Sequence, residues 1–429
     1  MRVLWVCNIM LPAVAKELGV SYSVREGWLS GILSRFLLEK ADRDLTLGIC
    51  FPAQGELAAL HRKLQLGEQK KAVECYGFGE DLNHPEQYDF SLEPRFGQIL
   101  SDFQPDLVHI FGTEFPHAYA CAKVWNRPEK TLVGIQGVCA ACAQEYMADL
   151  PESVRKSRTL RDVLKKDSLA QQQQKFYARA KTEEKLLRLA GHVTGRTMFD
   201  KTITSQINPA SVYHFMNETM RESFYAGEWK PEKCQKFEIF VSQADYPLKG
   251  FHYLLQAMKE ILQSFPQARI AVAGNSILGV DGITSRLKLP AYGKYLRKLI
   301  KENHLEGKIR VLGRLDEEEM KQRYLSCHVF VCPSSVENSP NSVAEAQLLG
   351  VPVIASRAGG IPSVAEDGVG GLLFEKGNAH DLARAVMQIF SSEERAKELS
   401  RRERELAALK YDGAANYRRL LEIYGEIAG

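Results

Sequence analysis

Apolar runs of strand length alternate with stretches of helical periodicity from one end of this 429-residue chain to the other. A strand buried on both faces reads as a continuous apolar run, and returning the chain to a parallel neighbour requires a crossover helix. The alternation therefore predicts an α/β fold of parallel sheets covered by helices. In the first half the runs predict strands at 3–7, 45–51, 72–76, 107–111, 131–135 and 192–194; in the second half, at 238–242, 270–273, 309–312, 329–332 and 353–355. At roughly 150 residues per domain the length suits two or three domains. The polar segment Phe224-Tyr225-Ala226-Gly227-Glu228-Trp229-Lys230-Pro231-Glu232-Lys233, with its Gly and Pro, is the best candidate for a linker between halves. Two apolar stripes at i, i+3, i+4 spacing read as core rather than ligand site: Phe251, Leu254, Leu255, Met258, Ile261 and Leu262, and near the end Tyr417, Leu420, Leu421 and Tyr424.

The balance of 56 basic and 53 acidic residues, net +3, creates no global field that would demand a nucleic acid as partner. No apolar run approaches the roughly 18–20 residues of a transmembrane helix. The first residues, Met1-Arg2-Val3-Leu4-Trp5-Val6, read directly as a strand and not as a signal peptide, so a cytoplasmic protein is expected. Nine cysteines is an odd number, and Cys7, Cys50, Cys121 and Cys332 fall in apolar segments, which favours reduced thiols acting as small hydrophobes. The lone Cys139-Ala140-Ala141-Cys142 lacks the second pair or the histidines that a structural zinc site needs. Asp42-Arg43-Asp44 has the D-x-D form of some metal-binding loops, but it lies between a helix end and a strand and reads as a connecting turn. No metal and no cofactor are expected. Lys156, Arg158, Arg161, Lys165 and Lys166 make a basic helical face, for which a solvated surface is the default and peripheral docking to anionic lipid the alternative.

The densest chemistry lies in Val336-Glu337-Asn338-Ser339-Pro340-Asn341-Ser342-Val343-Ala344-Glu345-Ala346. Ser342 and Glu345 have the spacing of a capping box, the residues from Val343 to Leu349 are good helix formers, and Gly350 closes the helix. A polar loop entering a helix N-terminus is a place to hold an anion. Read alone, Glu345 is as well explained by a cap and Glu337 by a solvated loop charge. The strand Val351-Pro352-Val353-Ile354-Ala355-Ser356 follows, and then Gly359-Gly360-Ile361-Pro362.

Loop glutamate, capped helix, Gly-Val-Pro-Val strand and glycine pair, in this order, resemble the retaining glycosyltransferases of family 4, with the GT-B fold. The resemblance spans most of the chain and is sharpest from Lys249 to Gly360. It implies two Rossmann-like domains facing across a cleft: 1–224 on the acceptor side, a linker at 225–236, a nucleotide-sugar-binding domain at 237–409, and a final helix at 410–429 crossing back to the first domain. It further implies that Lys249, in the Lys249-Gly250 turn, holds the donor diphosphate, that Glu337 binds sugar hydroxyls and that Glu345 binds the ribose diol. Ser339, Asn341 and Ser342 would cradle phosphate, and Gly274 and Arg314 would line the nucleotide pocket. Ala244 stands where the family usually has an arginine. In the first half, Gly27 in Arg25-Glu26-Gly27 resembles the family's glycine pair, with Glu26 replacing one glycine. His109 lies on a strand whose histidine faces the ligand in the family, although a satisfied core histidine is an equal reading. Gln136 replaces a histidine that contacts sugar; an amide there can donate and accept but cannot serve as a base. Arg196 could meet phosphate or acceptor, or form a structural ion pair, beside a helix cap from Thr197 to Asp200.

The implied function is transfer of a sugar, with retention, from a nucleotide diphosphate donor such as a UDP-sugar to a glycan or lipid-linked acceptor in surface polysaccharide synthesis. The setting would be the cytoplasm or the inner membrane face. Two rivals stay open: a nucleotide-sugar epimerase of the same fold, and a non-catalytic subunit that binds nucleotide or glycan.

Overall fold

The computed structural model describes residues 1–21, 27–39, 45–147, 149–275, 278 and 288–429. By internal packing these divide into two compact units: one comprises 1–140, 175–221 and 411–429, the other 141–174 and 222–410.

The first unit is built on an eight-stranded sheet of order β3-β4-β2-β1-β5-β6-β7-β8. Its strands are β1 (Arg2–Val6), β2 (Thr46–Ala53), β3 (His61–Leu66), β4 (Lys71–Gly79), β5 (Leu107–Phe111), β6 (Thr131–Gly134), β7 (His192–Gly195) and β8 (Val212–Phe215). All pairings are parallel except β3 against β4. The apolar runs that predicted β1 and β5 are buried along their length, as expected of central strands covered on both faces. The C-terminal helix Gly413–Ala428 belongs to this unit and buries Tyr417, Leu420, Ile423, Tyr424 and Ile427. Tyr424 enters the core, where its hydroxyl accepts from Trp5 Nε1 at 2.8 Å.

The second unit has a six-stranded, wholly parallel sheet of order β11-β10-β9-β12-β13-β14. Its strands are β9 (Gln235–Val241), β10 (Arg269–Ala273), β11 (Ile309–Gly313), β12 (Cys327–Cys332), β13 (Val353–Ser356) and β14 (Leu372–Phe374). The helix Phe251–Ser264 buries Phe251, Leu254, Leu255, Met258 and Ile261 as its periodicity predicts, and also His252 and Tyr253. Sheet order departs from chain order between the adjacent strands β9 and β12, one sequence branch leading to β11 and the other to β14. In open α/β sheets such a switch point, at the C-terminal ends of the strands, is where ligands bind.

Two segments pack differently from the expected domain layout. Residues 141–174, expected within the first domain, cluster with the second unit, because their polar groups find partners there: Tyr253 donates to Asp149 at 2.6 Å, Lys376 pairs with Glu145 at 2.8 Å, and Asp162 accepts from the Ala291 N–H at 3.0 Å. The expected linker is tied to the same unit by Trp229, which is buried and donates from its ring to the Cys327 carbonyl at 2.8 Å.

Candidate functional site

At the switch point of the second unit, two loops are fastened together. After β9 the chain makes a single 3-10 turn, Pro247–Lys249, closed by Gly250 in the left-handed region at φ +64°. A side chain at Gly250 would place its Cβ 1.8 Å from the Pro333 carbonyl oxygen, so glycine is what lets this turn lie against the loop leaving β12. The Ser335 N–H donates to the Leu248 carbonyl at 2.7 Å and completes the attachment. The result places Lys249 Nζ 2.7 Å from Glu337 Oε1, with the two side chains only 20% and 18% exposed.

Glu337 is fixed from three sides. Ser334 Oγ donates to its carboxylate at 2.9 Å, Lys249 donates to the same oxygen, and its carbonyl accepts from the Gly360 N–H at 2.8 Å. Gly359, at φ +56°, lies over that carbonyl so closely that a Cβ would come within 2.2 Å of its oxygen. The glycine pair after β13 thus serves to fold that loop onto the backbone of Glu337. Burial alone would depress the Lys249 ammonium, but the Glu337 carboxylate and the Tyr246 phenol beside it prevail and leave its pKa above the ordinary lysine value. Lys249 is therefore a permanent cation, also 5.7 Å from the Tyr246 ring centroid.

The helix Asn341–Leu349 starts from Pro340, whose side chain offers no cap, so the expected Ser342–Glu345 capping box is absent. Its reason is register: Pro340 fixes the entry, Ser342 is already the second helical residue, and Glu345 is the fifth, two positions past the one that reaches back in a capping box. Gly350 closes the helix in the left-handed region, as its sequence position predicts. Ser339, Asn341 and Ser342 are partly exposed at the helix start, where no acidic residue opposes the dipole and the first N–H groups have no intrahelical acceptor. Glu345 is buried, 7% exposed, and its Oε2 is 3.5 Å from the Tyr324 hydroxyl, which also donates to the Ser342 carbonyl at 3.1 Å.

Gly274 and Arg314 form a third group in this unit. The Gly274 N–H donates to the Gly313 carbonyl at 2.9 Å. Arg314 Nε donates to Asn275 Oδ1 at 2.8 Å, and Asn275 in turn gives its amide nitrogen to Asp245 Oδ2 at 2.7 Å and its backbone N–H to Oδ1 at 3.0 Å. Asp245, Ser334, Ser335 and Tyr253 were not singled out by the sequence. Asp245 had a signal, its place beside Ala244 in the loop leading to Lys249. Tyr253 had none, because it lies beside the apolar stripe in a helix read as core; its hydroxyl bonds Asp149 and lies 3.2 Å from Ser335 Oγ.

In the first unit His109 and Arg196, each open to two readings from sequence, are both held by internal contacts. His109 is fully buried in β5, stacked on Phe111 at 3.8 Å, with Nδ1 2.7 Å from the Tyr424 hydroxyl. Burial holds its pKa down to about 3, so it is a neutral histidine within the core. Arg196 is 8% exposed; its guanidinium pairs with Glu218 at 2.7 Å and donates to the Ile135 carbonyl at 2.8 Å, which makes it a structural ion pair. The neighbouring cap is present, with Thr197 and Asp200 forming a full capping box. Gln136, partly exposed after β6, accepts from Asn8 Nδ2 at 2.7 Å. Asn8 Oδ1 lies 3.0 Å from His117 Nε2, and His117 Nδ1 lies 2.6 Å from the buried Glu80 carboxylate. Gly27 opens the helix Gly27–Leu38. Arg25, Glu26 and Asp42-Arg43-Asp44 lie outside the described residues.

Two parallel-dominated α/β units, with a fastened cation–carboxylate pair at the switch point of the second, have the architecture of the GT-B fold. Solved structures agree. Sucrose-phosphate synthase from Thermosynechococcus elongatus superposes with a TM-score of 0.67 at 14% identity, covering 100% of this chain and 99% of that one. Anabaena HepE, solved in complex with UDP-glucose, gives 0.64 at 17% identity, covering 99% and 100%. Residues 226–406, which hold the Lys249–Glu337 pair, match the family model of glycosyl transferases group 1. Among curated proteins, sulfoquinovosyl transferase SQD2 of Arabidopsis thaliana is 32% identical over 223 residues, 51% of this chain and 37% of that protein. D-inositol 3-phosphate glycosyltransferase of Corynebacterium urealyticum is 30% identical over 179 residues, 41% and 40% of the two chains. These matches span about two fifths of the length of the curated relatives.

Proposed function

We propose that the chain is a retaining glycosyltransferase of family 4 that moves a hexosyl group from a UDP-sugar to a glycan or lipid-linked acceptor in surface polysaccharide synthesis, in the cytoplasm. The observation that carries this reading is the Lys249–Glu337 pair at the switch point, 2.7 Å apart, within the segment that matches glycosyl transferases group 1. A diphosphate leaving group gains negative charge as the glycosidic bond breaks, and a fixed cation is most effective where that charge develops. Lys249 takes that part, with the N–H groups and hydroxyls of Ser339, Asn341 and Ser342 as further donors. Glu337 can only accept, and it suits the hydroxyls of the sugar; Glu345 suits the ribose diol. Gly274 and Arg314 line the nucleotide pocket, and Gln136 orients a sugar or acceptor hydroxyl. His109 and Arg196 take no part. Retention follows from front-face transfer, in which the departing phosphate removes the acceptor's proton, and no metal is required. The relatives support the donor class and the pathway: HepE was solved with UDP-glucose, and a protein of Erwinia amylovora 26% identical over 168 residues is an amylovoran biosynthesis glycosyltransferase.

A thermal-shift screen across nucleoside diphosphates and their sugars tests this directly. A ligand at 100 times its dissociation constant stabilises by about 2.7 kcal/mol. UDP and one or more UDP-sugars should shift the melting temperature, equally with and without EDTA. Silence toward every nucleoside diphosphate would overturn the reading.

A further inference from the structure

The helix Leu160–Lys165 is built with its polarity reversed. Its charged residue is inside: Asp162, 1% exposed, receives the Thr159 N–H and the Ala291 N–H, each at 3.0 Å, while Thr159 Oγ1 accepts from the Asp162 N–H at 3.1 Å. Its apolar residues are outside: Leu160, Val163 and Leu164 are 73%, 59% and 75% exposed. They stand at i, i+3 and i+4, and so share one face. Arg161 is drawn back into pairs with Asp162 and Asp167 at 3.2 and 3.0 Å. Flanking the apolar face in sequence, Arg155, Arg158, Lys165 and Lys166 are exposed and make no ion pair among the described residues. Residues 152–167 carry six basic side chains against three acidic ones.

We propose that this face is a docking site for an anionic lipid bilayer, with Leu160, Val163 and Leu164 entering the headgroup boundary and the four cations contacting lipid phosphates. A three-residue aliphatic tip flanked in sequence by exposed lysine and arginine fits a membrane surface. It fits a protein partner poorly, since protein interfaces anchor on aromatic residues and are depleted in lysine. The capping box and the bond to Ala291 hold the tip rigid, so docking needs no refolding. No helix among the described residues is long and apolar enough to cross a membrane, and the contact is therefore peripheral. The inference is independent of the donor site: none of these side chains belongs to it.

The test is co-sedimentation of the full chain with phosphatidylcholine vesicles and with mixed phosphatidylcholine–phosphatidylglycerol vesicles. Binding to the anionic vesicles should exceed binding to the neutral ones by at least about a hundredfold at low salt and collapse at high salt. Replacing Leu160, Val163 and Leu164 together by Ser should lower binding at least about tenfold, with melting temperature and UDP-induced stabilisation unchanged. Replacing Arg155, Arg158, Lys165 and Lys166 by Gln should erase the anionic preference. Equal binding of the native chain to both vesicles would overturn the proposal. So would an undiminished serine variant, or a serine variant whose only change is loss of self-association on a sizing column.

Discussion

The Lys249–Glu337 pair offers a quantitative test by double-mutant cycle. Lys249→Met removes the ammonium while keeping the stem, and Glu337→Gln keeps the shape while removing the charge. A solvated ion pair is worth about 0.2–1 kcal/mol, and a charge-assisted hydrogen bond about 1.5–3 kcal/mol. With the side chains 20% and 18% exposed, solvent screens the contact in part. A coupling energy of about 1–2 kcal/mol is therefore expected from urea unfolding of the four proteins, at an unchanged m-value. The same four proteins separate structure from ligand binding by calorimetry with UDP. Lys249→Met should weaken UDP by about ten- to a hundredfold, the loss of one charge-assisted contact. Glu337→Gln should bind UDP as tightly as the parent or somewhat more tightly, because the ammonium no longer shares its charge with a carboxylate. A coupling below about 0.3 kcal/mol, together with parental UDP affinity in Lys249→Met, would refute both the pairing and its role.

Other outcomes follow from the same contacts. Tyr424→Phe should cost about 2–5 kcal/mol in chemical denaturation, because it deprives both Trp5 Nε1 and His109 Nδ1 of a buried partner; a loss below 0.5 kcal/mol would show that the C-terminal helix is not part of this core. Gly359→Ala places a side chain at φ +56° against the Glu337 carbonyl, so it should cost at least about 1–2 kcal/mol of stability, the left-handed backbone alone accounting for that, and reduce sugar transfer while UDP affinity holds. Transfer at the parental rate would mean that the position of Glu337 does not depend on this loop. Glu183 is 2% exposed, and burial raises its pKa from 4.5 to about 7 against the bonds it accepts from Thr113 and the Cys139 N–H. The folded state then holds a proton that the unfolded state has released, and stability falls as pH rises from 4.5 toward 7. Glu183→Gln should flatten melting temperature across that window, and an unchanged slope would remove Glu183 as its cause.

What the sequence disclosed and what it hid divide along physical lines. The central strands were legible because burial on both faces writes a continuous apolar run. Three of the four edges were not: β3 is His-Arg-Lys-Leu-Gln-Leu with most of its residues exposed, β8 has one buried residue of four, and β14 is only three residues long; the edge strand β11 was legible. Lys249, Glu337 and the glycine pair stood out as a motif, and the structure adds a reason for the glycines in the carbonyl of Glu337. The capping box was misread because a Ser-x-x-Glu spacing does not say where a helix starts, and Pro340 sets that point. His109 and Arg196 could not be resolved from sequence, since their partners Tyr424 and Glu218 are remote or outside any motif. The reversed polarity of Leu160–Lys165 is likewise invisible until the fold shows Asp162 facing inward.

The most direct test of the central claim is turnover of a UDP-sugar, chosen by the thermal-shift screen, by the parent chain and by Glu337→Gln. The account predicts acceptor-dependent release of UDP by the parent and a loss of about a hundred- to a thousandfold in the variant, at undiminished UDP affinity. Equal rates in the two proteins would contradict the role given to Glu337. A parent that binds UDP but transfers sugar to no acceptor would contradict the function itself.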